Sequence, residues 1–250
     1  MNNYKKNAID FLLFSYFSFS LDDLNNNFSD VMSMIIERAY RDATQQGAFN
    51  TFLTDDNKVA AGRAHQAGVE LIKEKLCGSQ PPQINDYNTW HAYFCQSIVE
   101  RYKSKQLEHF TYGNAQKWVN MTMKYIMILV DIIRAVDDTD VATEFMNKYG
   151  SLIDTYRTDL HVPVDSYIIK AVWEDEGIKL PLIEDKLLKD GSRGSYSSEK
   201  VVAWSKWENE QVYIDFQQSL RNSKASPIDW ESPAWIEQAK SKKRKKVRSS

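Results

Sequence analysis

The sequence predicts an all-α protein, and three observations carry that reading. Apolar residues recur at three- and four-residue spacing through most of the 250-residue chain; no run alternates apolar and polar residues convincingly, as half-buried strands do; and neither a fixed-period repeat nor sustained heptads occur. The expected architecture is a single compact multi-helix body over residues 1–239, or two helical lobes with a cleft between them. A basic tail, residues 240–250, is read as disordered. A hydrophobic share of 42% with 12% aromatic residues excludes a disordered chain for the body.

The elements follow in order. "FLLFSYFSFSL", Phe11 to Leu21, follows Lys5 and Lys6 as the apolar part of a signal peptide would. It is interrupted at Asp10, rich in serine and too short to span a bilayer, so it reads as a buried first helix or strand. "VMSMIIERAYRDATQQ" places Val31, Met34, Ile35 and Ala39 on one helical stripe, with Asp30 as a cap. Lys58 to Leu76 forms a second helix, and Cys77 to Asn88, with its Gly, Pro and Asn, a loop. In "TWHAYFCQSIVERYKSK", Trp90, Phe94, Ile98 and Tyr102 repeat every four residues.

"HFTYGNAQKWVNMTMKYIMILVDIIRAV", His109 to Val136, contains the longest apolar stripe. Read from Gly113 and Asn114, the residues Ala115, Trp118, Val119, Thr122, Ile126, Leu129, Val130 and Ile133 make one face, and Gln116, Lys117, Asn120 and Lys124 the opposite one. Asp138 or Asp140 then caps a helix toward Tyr149. "HVPVDSYIIKAVW" opens another, with Pro163 near its start and Asp165 in its first turn. Lys189 to Lys200 is a loop, "VVAWSKWENEQVYIDFQQSLRNS" a last long helix, and Ser226 to Ala239 a segment with two Ser-Pro turns packed back on the body.

Charge and cysteine content narrow the function classes. The net charge of −2 hides a tail with seven Lys/Arg and no acid, without which 25 basic residues face 34 acidic ones. Nucleic-acid binding by the body therefore needs a local patch, and Arg101, Lys103, Lys105, Lys117 and Lys124 against the single acid Glu108 supply one. Cys77 and Cys95 match neither a disulfide framework nor a zinc knuckle, and the four histidines lack helical metal spacing, so neither a metal nor any other cofactor is expected. A reduced cytoplasmic or nucleoid-associated monomer fits, or a nuclear one in a eukaryotic host, since "KKRKKV" is like a nuclear-localisation signal.

Lys117 near a helix start opposes the helix dipole, and Asp165 two residues after Pro163 is a carboxylate at a helix entry. The ordinary readings are a solvated lysine and a capping aspartate. The unpaired amides at the start of the Lys117 helix also make a ready phosphate site.

Together the two stretches resemble the helix-hairpin-helix superfamily of DNA glycosylases. Gly113 stands for the first hairpin glycine of Leu-Pro-Gly-x-Gly-x-Lys-Thr-Ala, Lys117 lies four residues later, and Pro163 to Ser166 parallels Pro-Val-Asp-Thr. Ala115 replaces the second glycine, Phe110 to Tyr112 the Leu-Pro approach, and the 48-residue separation implies an inserted helix. The resemblance covers about 60 residues and implies double-stranded DNA as partner, with a damaged or modified base flipped out and excised. It implies Asp165 and Lys117 as catalytic residues, Lys117 conferring lyase activity if it is the nucleophile. Gly113, Asn114, Gln116, Asn120, Lys124, Lys103 and Lys105 would contact the nucleic acid. Trp118, Trp90, Tyr93, Trp173 and Trp204 are available as stacking walls. The alternative is a non-enzymatic helical protein that binds nucleic acid or another protein through its basic residues.

Overall fold

The computed structural model describes residues 3–44, 49–77, 84, 86–136, 142–175, 178, 202–207 and 210–248. Among them lie helices α1 (Asn3–Phe17), α2 (Asp23–Asn26), α3 (Phe28–Thr44), α4 (Lys58–Cys77), α5 (Tyr87–Lys103), α6 (Tyr112–Val136), α7 (Thr143–Tyr156), α8 (Ser166–Glu174), α9 (Glu210–Ser223) and α10 (Pro227–Arg248). Two 3₁₀ turns, Phe49–Phe52 and Trp204–Lys206, complete the set, and no strand occurs among the described residues. The chain is all-α. The expected loop at 189–200 and the caps Asp138 and Asp140 lie outside the described residues.

Helix α6 is the axis of the molecule. It packs on α3, α5, α7 and the Trp204–Lys206 turn, while α4 bridges α3 and α5. The whole predicted apolar face of α6 is buried. Trp118 is fully buried, donates Nε1–H to the Ile36 carbonyl at 3.0 Å, and fits because α4 carries Gly68, where a Cβ would lie 2.6 Å from the indole ring. The start of α6 is a capping box: the Asn114 amide nitrogen donates to Thr111 Oγ1 at 3.4 Å, and Asn114 Oδ1 accepts from the Thr111 amide at 3.2 Å. The helix thus begins at Tyr112, one residue earlier than the spacing suggests, and Lys117 lies in its second turn, where the dipole penalty fades.

Several expectations are corrected. α1 is not a buried helix: Leu13 and Phe17 face the core, but Tyr4, Phe11, Leu12 and Phe14 are exposed. Asp30 lies in the first turn of α3 rather than capping it, and Met34 points outward. The single long helix expected from Val201 is a 3₁₀ turn followed by α9. The 226–239 segment, expected to turn at each Ser-Pro, is continuous helix from Pro227 through Pro233, packed on α8, within a helix that runs to Arg248. A proline inside a helix removes one backbone hydrogen bond.

Candidate functional site

The extended segment Leu160–Val164 lies beside the first turns of α6, and two polar side chains of α6 hold it there. Gln116 Nε2 donates to the Val164 carbonyl at 3.3 Å, and its Oε1 accepts from the Val164 amide at 3.4 Å, so one side chain pairs as a neighbouring strand would. Asn120 Nδ2 reaches the Val162 carbonyl at 3.2 Å, Gln116 Oε1 at 3.0 Å and the Tyr213 hydroxyl at 2.8 Å. From α9, Gln217 closes a second such pair on Val162 at 3.0 and 2.8 Å.

His91 and His161 complete this buried network as neutral rings. Burial pushes the His91 imidazole down to about 3, and burial beside His91 and Arg221 holds His161 well below its ordinary value. The Tyr213 hydroxyl accepts from Asn120, so it donates to His161 Nδ1 at 2.7 Å. His161 then carries its proton on Nε2 and gives it to Asn88 Oδ1 at 2.8 Å. His161 is a structural member of the core.

The clamp places Asp165 at the N-cap of α8. Its Oδ1 accepts the amides of Tyr167 and Ile168 at 2.9 and 3.0 Å, which leaves Oδ2 facing α6. That oxygen lies 3.0 Å from Lys117 Nζ and 3.0 Å from the indole Nε1–H of Trp235 on α10. Lys117 Nζ also stands 4.7 Å from the centre of the Trp204 ring, a cation–π contact. The pair is nearly sealed, with side-chain exposures of 9% for Lys117 and 13% for Asp165. Burial alone would raise the Asp165 carboxyl; the Lys117 ammonium, the Ile168 amide and the Trp235 indole together bring it below the usual carboxylate range.

This pair forms one end of a cavity of about 600 Å³ between α1, α3, α6 and α10. A stripe of α6 (Lys117, Met121, Lys124, Tyr125, Ile128) makes one wall, and Glu231, Ser232, Trp235 and Ile236 of α10 the other. Tyr16, Phe17, Arg38 and Asp42 close the far end. Lys124 is ion-paired with the buried Glu231, whose carboxyl is raised by burial against the opposing pull of that ammonium.

The structure thus brings Lys117 and Asp165 together across 48 residues, and it separates the other expected contacts. Gly113, Asn114, Gln116 and Asn120 are buried and bonded within the protein, so none offers a surface to a phosphate. At Gly113 a Cβ would lie 1.8 Å from the Trp204 carbonyl oxygen, and its amide donates to the Trp207 carbonyl at 3.0 Å; the glycine admits the 3₁₀ turn rather than a ligand. The predicted basic patch is divided: Arg101, Lys103 and Lys105 are exposed, whereas Lys117 is a buried and Lys124 a half-buried ion-pair partner.

Of the expected aromatic walls, Trp118 belongs to the core, Trp90 packs partly against it, Tyr93 is exposed, and Trp204 touches Lys117. Tyr16, Phe17, Tyr125 and Trp235, which line the cavity, were invisible as site residues because their common destination depends on how α1, α6 and α10 meet. Among the described residues no group of three or more His, Cys, Asp or Glu side chains is arranged to hold a metal, and no helix is long and apolar enough to cross a membrane.

The fold and site define an all-α protein with a lysine–aspartate pair at the wall of an aromatic cavity. No family model, curated protein or solved structure matches the chain.

Proposed function

We propose that the protein is a DNA glycosylase with lyase activity, acting on a damaged or modified base flipped into the cavity. The observation that carries this reading is the 3.0 Å contact between Lys117 Nζ and Asp165 Oδ2 at the cavity wall. A carboxylate fixed as a helix cap beside a lysine is suited to a reaction in which positive charge develops on a sugar.

In this reading the flipped nucleotide places its sugar carbon C1′ against Lys117. The ammonium gives up one proton, which leaves with the departing base. The Nζ lone pair forms a bond to C1′ as the bond from C1′ to the base nitrogen breaks, the electron pair departing with the base. Asp165 stabilises the positive charge on the sugar; the C1′–O4′ bond then breaks, one proton passes from Nζ to O4′, and the open sugar is left as an iminium on Lys117. Loss of a proton from C2′ then expels the 3′ phosphate. The exposed Arg101, Lys103 and Lys105, in and just after the last turn of α5, are the candidates for backbone phosphates.

The test is base release from a panel of duplexes carrying oxidised, alkylated, deaminated and hypermodified bases, with borohydride trapping of the covalent intermediate. Wild-type protein is expected to release one class of base and to be trapped on it. Lys117→Gln should abolish trapping, and Asp165→Asn should lower the rate at least about 100-fold. Absence of release from every duplex, with salt-sensitive DNA binding lost on removing residues 240–250, would instead identify a non-enzymatic nucleic-acid-binding protein.

A further inference from the structure

α1 is apolar on two sides, and only one of them is covered. Leu13 and Phe17 pack into the core, while Tyr4, Phe11, Leu12, Phe14 and Tyr16 of the same helix are exposed, Phe11 at 71% and Leu12 at 65%. A helix that is apolar all round ordinarily has something against every side. Ten large apolar side chains are exposed among the described residues. Met34, Val59 and Tyr93 stand singly on α3, α4 and α5, as surface residues commonly do, but five of the ten belong to α1. Tyr16 joins them to Trp235 and Ile236 of α10, exposed residues that line the cavity with it, so the apolar surface runs from α1 across the cavity mouth to α10.

Charge decides what fits this surface. The one acid of α1, Asp10, is engaged within the protein, accepting from the Leu21 amide at 2.8 Å and from Lys6 Nζ at 2.7 Å, and Lys5 is exposed. On α10, Lys240 follows Ile236 by one helical turn on the same face, is exposed, and opens the 240–250 run of seven Lys/Arg without an acid. From Trp235 onward Glu237 is the single acid.

A second copy of the chain on this surface would bring two such basic runs to one interface, where like charges oppose association. Nucleic acid would gain from the cations and nothing from exposed Phe and Leu side chains. A bilayer with anionic headgroups uses both: its acyl boundary takes the apolar side chains, tyrosines sit at headgroup level, and the cations are drawn to its surface. The 15 residues of α1 rise only about 22 Å, so the helix would lie along the interface rather than span it.

We infer that the protein docks on the surface of an anionic lipid bilayer, with the outer face of α1 in the boundary between headgroups and acyl chains and the basic end of α10 drawing it there. This gives one use to two stretches that the cavity chemistry leaves without any, the Phe11–Leu21 run and the basic C-terminal run. The inference does not rest on the glycosylase reading, and Phe11, Leu12 and Phe14 do not line the cavity.

The experiment is co-sedimentation of the full chain with vesicles of phosphatidylcholine alone and of phosphatidylcholine with about one third phosphatidylserine, at low and physiological salt. The wild-type chain is expected to bind the anionic vesicles at least about tenfold more strongly. Replacing Phe11, Leu12 and Phe14 together by Ser should weaken that binding at least about tenfold, whereas Phe14→Leu, which keeps the apolar surface, should bind as the wild type does. Replacing the seven Lys/Arg of the 240–250 run by Gln should erase the preference for phosphatidylserine. Because the three α1 side chains are exposed, their Ser variant should melt no lower than the wild type; Phe11→Ser alone is the milder variant should it do so, and is expected to weaken binding about threefold.

Absence of binding to either vesicle would overturn the inference, as would binding unchanged in a folded α1 variant, which would make it the work of the basic run alone. A dimer in light scattering that the α1 variant dissolves, without vesicle binding, would assign the surface to a second copy instead. Duplex-DNA binding lost in the α1 variant, again without vesicle binding, would assign it to nucleic acid.

Discussion

Two sets of polar residues, interleaved on one helix, are buried for opposite purposes. Gln116 and Asn120 meet only neutral groups, and through them α6 is fastened to the Leu160–Val164 segment, to α9 and, by His91, to α5. Lys117 and Lys124, one and four residues further on, meet carboxylates at the edge of a cavity. A neutral network that is fully satisfied rigidifies a core. A buried ion pair offers little net stability over an apolar substitute, so charge retained beside a cavity points to use rather than to holding the fold. The neutral set positions the charged set: Val164, clamped by Gln116, immediately precedes Asp165.

The largest stability effect is expected on the neutral side. Asn120→Ala would take from the His91 ring its 2.7 Å partner and remove one of two donors from both the Gln116 oxygen and the Val162 carbonyl, and should cost about 3 kcal/mol in denaturant unfolding. A loss under about 1 kcal/mol would mean that water or relaxation satisfies those groups and that the clamp is dispensable.

On the charged side the single and double variants should diverge. Lys117→Met leaves the Asp165 carboxylate buried without its cation and should cost about 2 to 3 kcal/mol, whereas Lys117→Met with Asp165→Asn should recover at least half of that, because Asn still caps α8. Additive losses in the double-mutant cycle would show that the pair is not coupled.

The smallest effect is in the pH profile, where the two cavity carboxylates have opposite signs. Asp165 has a folded pKa below its unfolded value near 3.8, so the stability it contributes is present above pH about 4 and lost as pH falls further. Glu231 has a folded pKa above its unfolded value near 4.5, so the folded state holds its proton longer and stability declines as pH rises from about 4.5 through the folded pKa. Melting temperatures of Asp165→Asn should fall less steeply in acid than those of the wild type, and those of Glu231→Gln less steeply above pH about 4.5. Unchanged profiles in both variants would refute these assignments.

The Lys117 and Asp165 stretches were legible because each is local: a lysine near a helix start, and a Pro-Val-Asp entry to the next helix. The burial of Gln116 and Asn120 and the ion pair of Lys124 were not, since the partners outside α6 lie 29 to 107 residues away. A polar face reads as solvated until something covers it, and α6 is covered on that face by the 160–164 segment, α9 and α10. Gly113 shows the same limit: its missing side chain was visible, but the 3₁₀ turn that fills the space comes from 91 residues further along.

Periodicity by itself determined that this chain is helical and where most helices run, because the 3.6-residue repeat of apolar side chains is a property of neighbouring positions. Tertiary structure alone decided that the polar side of α6 faces protein, that Lys117 meets Asp165, and that Tyr16, Arg38, Asp42 and Trp235 share one cavity with them. Those contacts join α1, α3, α6, α8 and α10, and pairing between distant segments is set by how helices pack, which no local pattern records.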